Sequence, residues 1–278
     1  PADPRLTTTT LDITDHAATA KLLAPGCDAV FHLAAIVSAN AEEDFDLGYK
    51  VNLDGTRYIL EGLRALHTKP LLVFASTLAV FGGPVPDPIG DDVHLTPQTS
   101  YGTQKAACEL LVADYTRKGF IDGRSLRLPT IVARPGKPNK AASTFASSII
   151  REPLAGQQAI CPVHLDSRMY VLSPRRVIDA LVRAATLPSD AFGQVRSLTL
   201  PGIAVGIGEV LDALRRIAGN AVADRVRQEP DARIQQIVDG WPFHFTSARA
   251  RAMGFASDAS IDEIIQAHIE DELGGRIA

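Results

Sequence analysis

Short continuous apolar runs alternate along this chain with longer amphipathic stretches, the pattern of buried strands separated by helices. Ala29 to Ala35 and Leu71 to Ala75 are the clearest strand-length runs. Between them, residues 52–66 place Leu53, Ile59, Leu60, Leu63 and Leu66 on one helical stripe. Residues 101–118 predict a second strong helix ending at Gly119, and Arg124 to Pro129 a strand that proline stops. Upstream, the β-branched run Thr7 to Thr10 leads into Leu11-Asp12-Ile13 and predicts the end of a strand. Thr14 or Asp15 then caps a short helix to Leu23, which Pro25-Gly26 ends. This alternation predicts an α/β fold with a parallel sheet.

Beyond residue 134 the pattern loosens. Ser143 to Arg151 and Gly208 to Gly219 predict helices, and Val195 to Leu200 a strand. Ser173-Pro174 has the form of an N-cap followed by proline in the first turn, opening a helix to Thr186. Ile261, Ile264, Ile265, His268, Ile269 and Leu273 share one helical face near the C-terminus, which makes His268 a core or rim histidine. The expected organisation is a sheet domain over 1–134 and a smaller mixed α/β lobe over 135–278. Strand and helix near 165–200 are candidates to return to the first domain.

Composition narrows the function. Of 278 residues, 46% are apolar and 22% charged, an ordinary globular profile. The net charge of −4 argues against nucleic acid as a partner, because phosphate binding needs a basic patch. No apolar stretch predicts a membrane span, and the first residues lack a signal-peptide pattern, so the expected location is cytoplasmic. Cys27, Cys108 and Cys161 are far apart, which predicts buried reduced thiols and no metal site. Trp241 and His244 read as a core aromatic and a surface histidine.

The chemistry concentrates in Tyr101-Gly102-Thr103-Gln104-Lys105. Tyr and Lys four apart lie on one helical face. A neighbouring ammonium favours the phenolate, so the expectation is a lowered Tyr101 pKa and a group able to take a proton from an alcohol. Ser76 and Thr77 end a predicted strand, where ligands bind in open α/β sheets. His32-Leu33-Ala34-Ala35 ends the preceding strand with small residues, and Asn52 opens the next helix.

Taken in order, Asp12-Ile13, His32 to Ala35, Asn52, Ser76-Thr77, Tyr101 with Lys105, and Arg127-Leu128-Pro129 resemble the extended short-chain dehydrogenase/reductase family of epimerases and dehydratases. The resemblance covers nearly the whole chain. It implies a Rossmann-type doubly wound parallel sheet that binds NAD, with the C-terminal lobe holding substrate. It implies Tyr101 as general acid/base and Lys105 as a partner of both Tyr101 and the nicotinamide ribose. Ser76 or Thr77 would bond the reacting oxygen. Asp12 and Ile13 would meet the adenine, Leu33, Ala34 and Ala35 the dinucleotide backbone, and Pro129 the nicotinamide side, with Asn52 a further cofactor contact. It also implies a homodimer through the helices near 52–66 and 101–118.

One part of the family pattern is absent. No Gly-x-x-Gly-x-x-Gly turn joins a first strand to a helix, and the first recognisable strand matches the family's third. The family pattern therefore places about 50 residues before Pro1, a little more than one βαβ unit. The expected consequence is weak NAD binding by the chain that begins at Pro1.

Within the family, dehydratases follow the active-site hydroxyl with an acidic pair, whereas Leu78-Ala79 follows Thr77 here. Nucleotide-sugar epimerases usually carry Asn just past the strand ending near Pro129, and here Thr130 stands there. The segments Thr99 to Lys105, Leu128 to Asn139, Ile149 to Pro153 and Trp241-Pro242 resemble members that oxidise a small sugar acid at C2. Such a substrate needs a carboxylate anchor, for which Arg134 and Arg168 are candidates. Thr130 and Asn139 are further substrate contacts. The alternatives are a nucleotide-sugar 4-epimerase with tightly held NAD, and a silent NAD-binding module.

Overall fold

The computed structural model describes residues 3–136 and 143–278. Its central feature is a parallel sheet of strands β1 (Ala29–His32), β2 (Leu71–Thr77), β3 (Asp122–Leu128) and β7 (Ser197–Thr199), in that spatial order. The chain enters through α1 (His16–Leu23), which Asp15 caps through the Ala18 amide and which stops before Gly26 at φ +92°. Between β1 and β2 run α2 (Ser38–Glu43), α3 (Phe45–Gly48), a π-helical turn over Tyr49–Asp54, and α4 (Gly55–Ala65). Helix α5 (Ser100–Arg117) connects β2 to β3, and Gly119 beyond it adopts φ +76°.

Alternation along β2 sorts its side chains between two cores. Leu72 and Phe74 pack with Leu60, Leu63, Cys108 and Val112 of α4 and α5. Val73 packs on the opposite face with Leu126, Leu198 and Ala184. That second face is covered by α7 (Pro174–Thr186), whose N-cap is the Ser173 hydroxyl accepting from the Arg176 amide.

After β3 the chain crosses to the second lobe. Strands β4 (Thr130–Ile131), β6 (Arg168–Leu172) and β8 (Ile203–Gly206) form one small sheet, and β5 (Ala159–Cys161) pairs with β9 (Val226–Gln228). Helix α11 (Ala248–Ala252) returns to the large sheet, where Ala250 joins the Val73 core beside β7, while around the small sheets lie α6 (Thr144–Leu154), α8 (Ile207–Ala218), α9 (Asn220–Ala223), α10 (Ala232–Asp239) and α12 (Ile261–Glu272). Their buried side chains, among them Ile149, Leu214, Ile264 and Ile265, make a separate core against which Trp241 packs. His268 is buried in α12, and His244 is exposed with Nδ1 2.9 Å from Asp87.

Three expectations change. Thr7 to Leu11 is extended and mostly exposed but forms no strand, because among the described residues no strand lies beside it to complete a ladder. Strand β1 ends at His32, leaving Leu33 to Ala35 past the sheet edge. Cys27 is only half-buried, whereas Cys108 and Cys161 are buried, and all three are free. Among the described residues no helix is long and apolar enough to cross a membrane, and no cluster of side chains could hold a metal ion.

Candidate active site

The site forms where β2 ends and α5 begins. Thr77 closes β2 and caps the short 3₁₀ turn Leu78–Val80, its Oγ1 accepting from the Ala79 amide at 3.1 Å. The first turn of α5, capped by Thr99, lies directly against that turn. A Cβ built on Gly102 would stand 2.1 Å from the Ala79 carbonyl oxygen, so glycine permits the approach. Tyr101, the residue before it, is thereby brought to Thr77.

The Tyr101 phenol is half-buried, and burial pushes its pKa up to about 12. A hydrogen bond from Thr77 pulls the other way, favouring the phenolate. The expected lowering of this pKa by Lys105 is not what the structure shows. Lys105 Nζ lies 5.9 Å from the Tyr101 ring centroid and donates to the Ala75 carbonyl at 2.8 Å, so burial of the phenol dominates. Lys105 is itself buried, with Nζ 4.6 Å from the Phe74 ring centroid. Burial pulls its pKa down to about 8, against Cys108 and Glu109, which favour the cation.

Ser76 faces elsewhere. It continues the β2 face of Leu72 and Phe74, which meets α5. Its hydroxyl donates to Glu109 Oε1 at 2.5 Å, and Glu109 is held bidentately by Arg127, with Nη2 2.7 Å from Oε2. Thr77 is therefore the strand-end hydroxyl that meets Tyr101.

His32 Nε2 lies 2.9 Å from Thr56 Oγ1, and the Thr56 hydroxyl gives its proton to the Asn52 carbonyl at 2.6 Å. Thr56 must then accept, so His32 carries its proton on Nε2. Burial, with Lys105 nearby, holds the His32 pKa down at about 3. Asn52 is fully engaged in protein contacts. Its Oδ1 accepts from the Ile36 amide at 2.9 Å, and its Nδ2 donates to the Ile36 carbonyl and to Gln104 Oε1. It ties the segment after β1 to α5.

The remaining predicted residues are spread around this centre. Asp12 is exposed and accepts from the Thr14 amide, while Ile13 packs on the start of α4. Ile13, Leu33 and Ala34 share an apolar cavity of about 290 Å³ with Leu11, Phe31 and Ile59. Pro129 and Thr130 follow β3, with Thr130 paired to Val171 of β6. Arg134 is half-buried, and burial and Arg151 both pull its pKa down; its carbonyl accepts from Arg151. Arg168 begins β6 with its guanidinium 5.7 Å from the Phe243 ring centroid. No ion pair between either arginine and a carboxylate occurs among the described residues. Asn139 lies outside them.

Gly102, Glu109 and Gln104 are the site-forming residues that sequence reasoning missed. The signal for Glu109 was its position four residues after Lys105, on the same helical face. The donor set Thr77, Tyr101 and Lys105, at the carboxyl ends of parallel strands flanked by Ala34, Ala35 and Pro129, fits the nicotinamide end of a dinucleotide.

Comparison with known proteins agrees. The NAD dependent epimerase/dehydratase family matches residues 2–194. The chain is 52% identical to D-erythronate dehydrogenase of Cupriavidus necator, over 97% of this chain and 83% of that protein. It is 44% identical to D-erythronate dehydrogenase of Haemophilus influenzae, over 98% of this chain and 86% of that one. The crystal structure described as a nucleoside-diphosphate-sugar epimerase from Agrobacterium tumefaciens superimposes with a TM-score of 0.94. It is 47% identical and covers all of this chain and 84% of its own. With Thr77, Tyr101 and Lys105 gathered at the end of β2 and these relatives along nearly its whole length, the chain belongs to the NAD dependent epimerase/dehydratase family.

Proposed function

We propose that this protein oxidises D-erythronate at C2 to 2-dehydro-D-erythronate, with NAD⁺ as hydride acceptor. The observation that carries the reading is the near full-length identity to two D-erythronate dehydrogenases, in a chain whose Thr77 and Tyr101 hydroxyls converge.

Oxidation removes a hydride from C2 and a proton from its hydroxyl. A bound nicotinamide would supply the acceptor for the hydride. Tyr101 takes the proton, which requires its phenolate. Thr77 favours that form by donating to the phenol oxygen and shares the bond with the substrate oxygen. The Lys105 ammonium, which donates to the Ala75 carbonyl, adds positive charge behind the phenol and would hold the ribose of a bound nicotinamide cofactor. Asp12, Ile13, Leu33, Ala34, Ala35 and Pro129 line the cofactor's path. Arg134 and Arg168 are the cations for the substrate carboxylate, with Thr130 and Asn139 toward its hydroxyls. The protein acts as a homodimer joined through α4 and α5, where Leu110 is 69% exposed. Its three free cysteines suit the cytoplasm.

A second reading, a nucleotide-sugar 4-epimerase, is favoured by the description of the Agrobacterium structure as a nucleoside-diphosphate-sugar epimerase. The test uses the purified protein with D-erythronate, L-threonate and related acids, NAD⁺ and NADP⁺ in parallel, read by NADH absorbance. NADH from D-erythronate, lost in Tyr101→Phe, supports the dehydrogenase. Copurified NAD with no net NADH from any acid overturns it in favour of the epimerase.

A further inference from the structure

We propose that Glu109 is a positioning residue of the Tyr101 site: it fixes Ser76 and Arg127 beneath the end of β2 and, one helical turn from Lys105, sets its carboxylate on the ammonium's side of α5. The carboxylate joins three elements at once. Oε1 accepts from Ser76 Oγ at the end of β2 and from Arg127 Nε of β3 at 3.0 Å, and Oε2 accepts from Arg127 Nη2 at 2.7 Å. Ser76 and Arg127 are register partners across β2 and β3, so one acid on α5 locks both strands at the level of Thr77. Arg127 also lies 5.1 Å from the Phe81 ring centroid, tying in the chain as it leaves the turn after Thr77.

Stability alone is a weak reason for this arrangement. Taking both charges out of water offsets most of their attraction, and apolar replacements are often as stable. The geometry supplies a better reason. Tyr101, Lys105 and Glu109 recur every four residues along one face of α5. With Ser76 committed to Glu109, Thr77 alone is presented to the phenol. Lys105 is faced by Tyr101, Cys108 and Glu109 from α5, by His32 from β1, and by the Phe74 ring and Ala75 carbonyl from β2. Glu109 is the carboxylate in that group. It counters the burial that pulls the Lys105 pKa down to about 8.

The test follows the Lys105 side chain directly. In protein carrying ¹³C-labelled lysine, with the resonance assigned by its loss in Lys105→Met, the Cε signal is titrated in wild type and in Glu109→Gln. The expected result is a midpoint about one pH unit lower in Glu109→Gln. Should the single variant fail to fold, the midpoint in Glu109→Gln with Arg127→Met is read against that in Arg127→Met and should lie below it, because the two proteins differ only in the carboxylate. A midpoint unchanged in whichever comparison can be made overturns the proposal, because a purely structural Glu109 would lower stability without moving the lysine. Where D-erythronate is turned over, kcat should fall about tenfold in Glu109→Gln with KM for the acid within about twofold. A loss confined to KM would equally count against positioning. The kinetic arm rests on the dehydrogenase reading. The lysine titration decides the proposal even if D-erythronate proves not to be the substrate.

Discussion

Ser76 and Thr77 are neighbours at the end of β2, yet their hydroxyls have different partners: Ser76 donates to Glu109 on α5, and Thr77 meets the Tyr101 phenol. The pleat of the strand separates them, since Ser76 extends the face of Leu72 and Phe74. Thr77→Val should therefore cost about a hundredfold or more in kcat, the scale for losing one hydroxyl aimed at the reacting oxygen. Ser76→Ala should cost less than about tenfold. The ratio of the two kcat values checks this, and a larger loss in Ser76→Ala would reverse the assignment.

His32 gives the fold a defined acid sensitivity. Its folded pKa is about 3, below the ordinary 6.5. Between those values the unfolded chain binds a proton that the folded one does not, so stability falls as pH drops through that window. At about 1.4 kcal/mol per unit, pH 5 should cost about 2 kcal/mol relative to pH 6.5. Urea unfolding of wild type and His32→Gln at pH 7 and pH 5 isolates the effect. The wild type should lose more stability than the variant, and equal losses would assign the sensitivity to other groups.

The parts of this molecule that were legible before its structure are those encoded locally. The stripe Ile59, Leu60 and Leu63, the Ser173-Pro174 cap and the Tyr101–Lys105 spacing each depend on residues within a few turns of one another. What was missed depends on partners far away in sequence. Thr7 to Leu11 has strand composition but no neighbouring strand among the described residues, and a strand without a ladder is only extended chain. Strands β4, β5, β8 and β9 are two to four residues long, too short to show a period of two. The choice between Ser76 and Thr77 needed the position of Glu109, and the Lys105 expectation needed the Ala75 carbonyl. The i,i+4 spacing puts Glu109 on the face of Lys105, but neither it nor the run Leu71 to Ala75 says which strand atom each side chain meets.

A second structural prediction concerns Asp122, at the start of β3. Its Oδ2 accepts from Arg124 Nη2 at 2.6 Å, and its Oδ1 accepts from the Ser189 hydroxyl and from Arg196. Both guanidinium groups are nearly inaccessible, and the Phe192 ring lies near each. Asp122→Asn would leave two buried cations without their carboxylate, at a cost of about 3–5 kcal/mol. Chemical denaturation should show that loss. Because Asp122 is at the opposite end of β3 from Leu128, activity per folded molecule should stay within about twofold of wild type. A silent substitution would mean that Ser189 and backbone carbonyls suffice for these arginines.

Gly102 offers a test of how closely the site is assembled. Helix α5 approaches the Leu78–Val80 turn so tightly that a Cβ at residue 102 would stand 2.1 Å from the Ala79 carbonyl oxygen and 3.0 Å from Pro97 Cβ. The first obstacle is backbone, which a rotamer change cannot clear. Gly102→Ala would otherwise favour the helix by about 1 kcal/mol, since glycine is the poorer helix former. The clash forces the first turn of α5 away from β2, carrying Tyr101 from Thr77 and removing the hydrogen bond that favours the phenolate. The variant should consequently lose kcat by about a hundredfold, because misplacement of about 1 Å has that scale of effect. Its pH profile should move alkaline, since Tyr101 loses the one contact that offsets burial. Thermal unfolding and the pH dependence of kcat together decide the matter. A variant that is more stable and fully active would show that α5 can shift without disturbing the Thr77–Tyr101 pair.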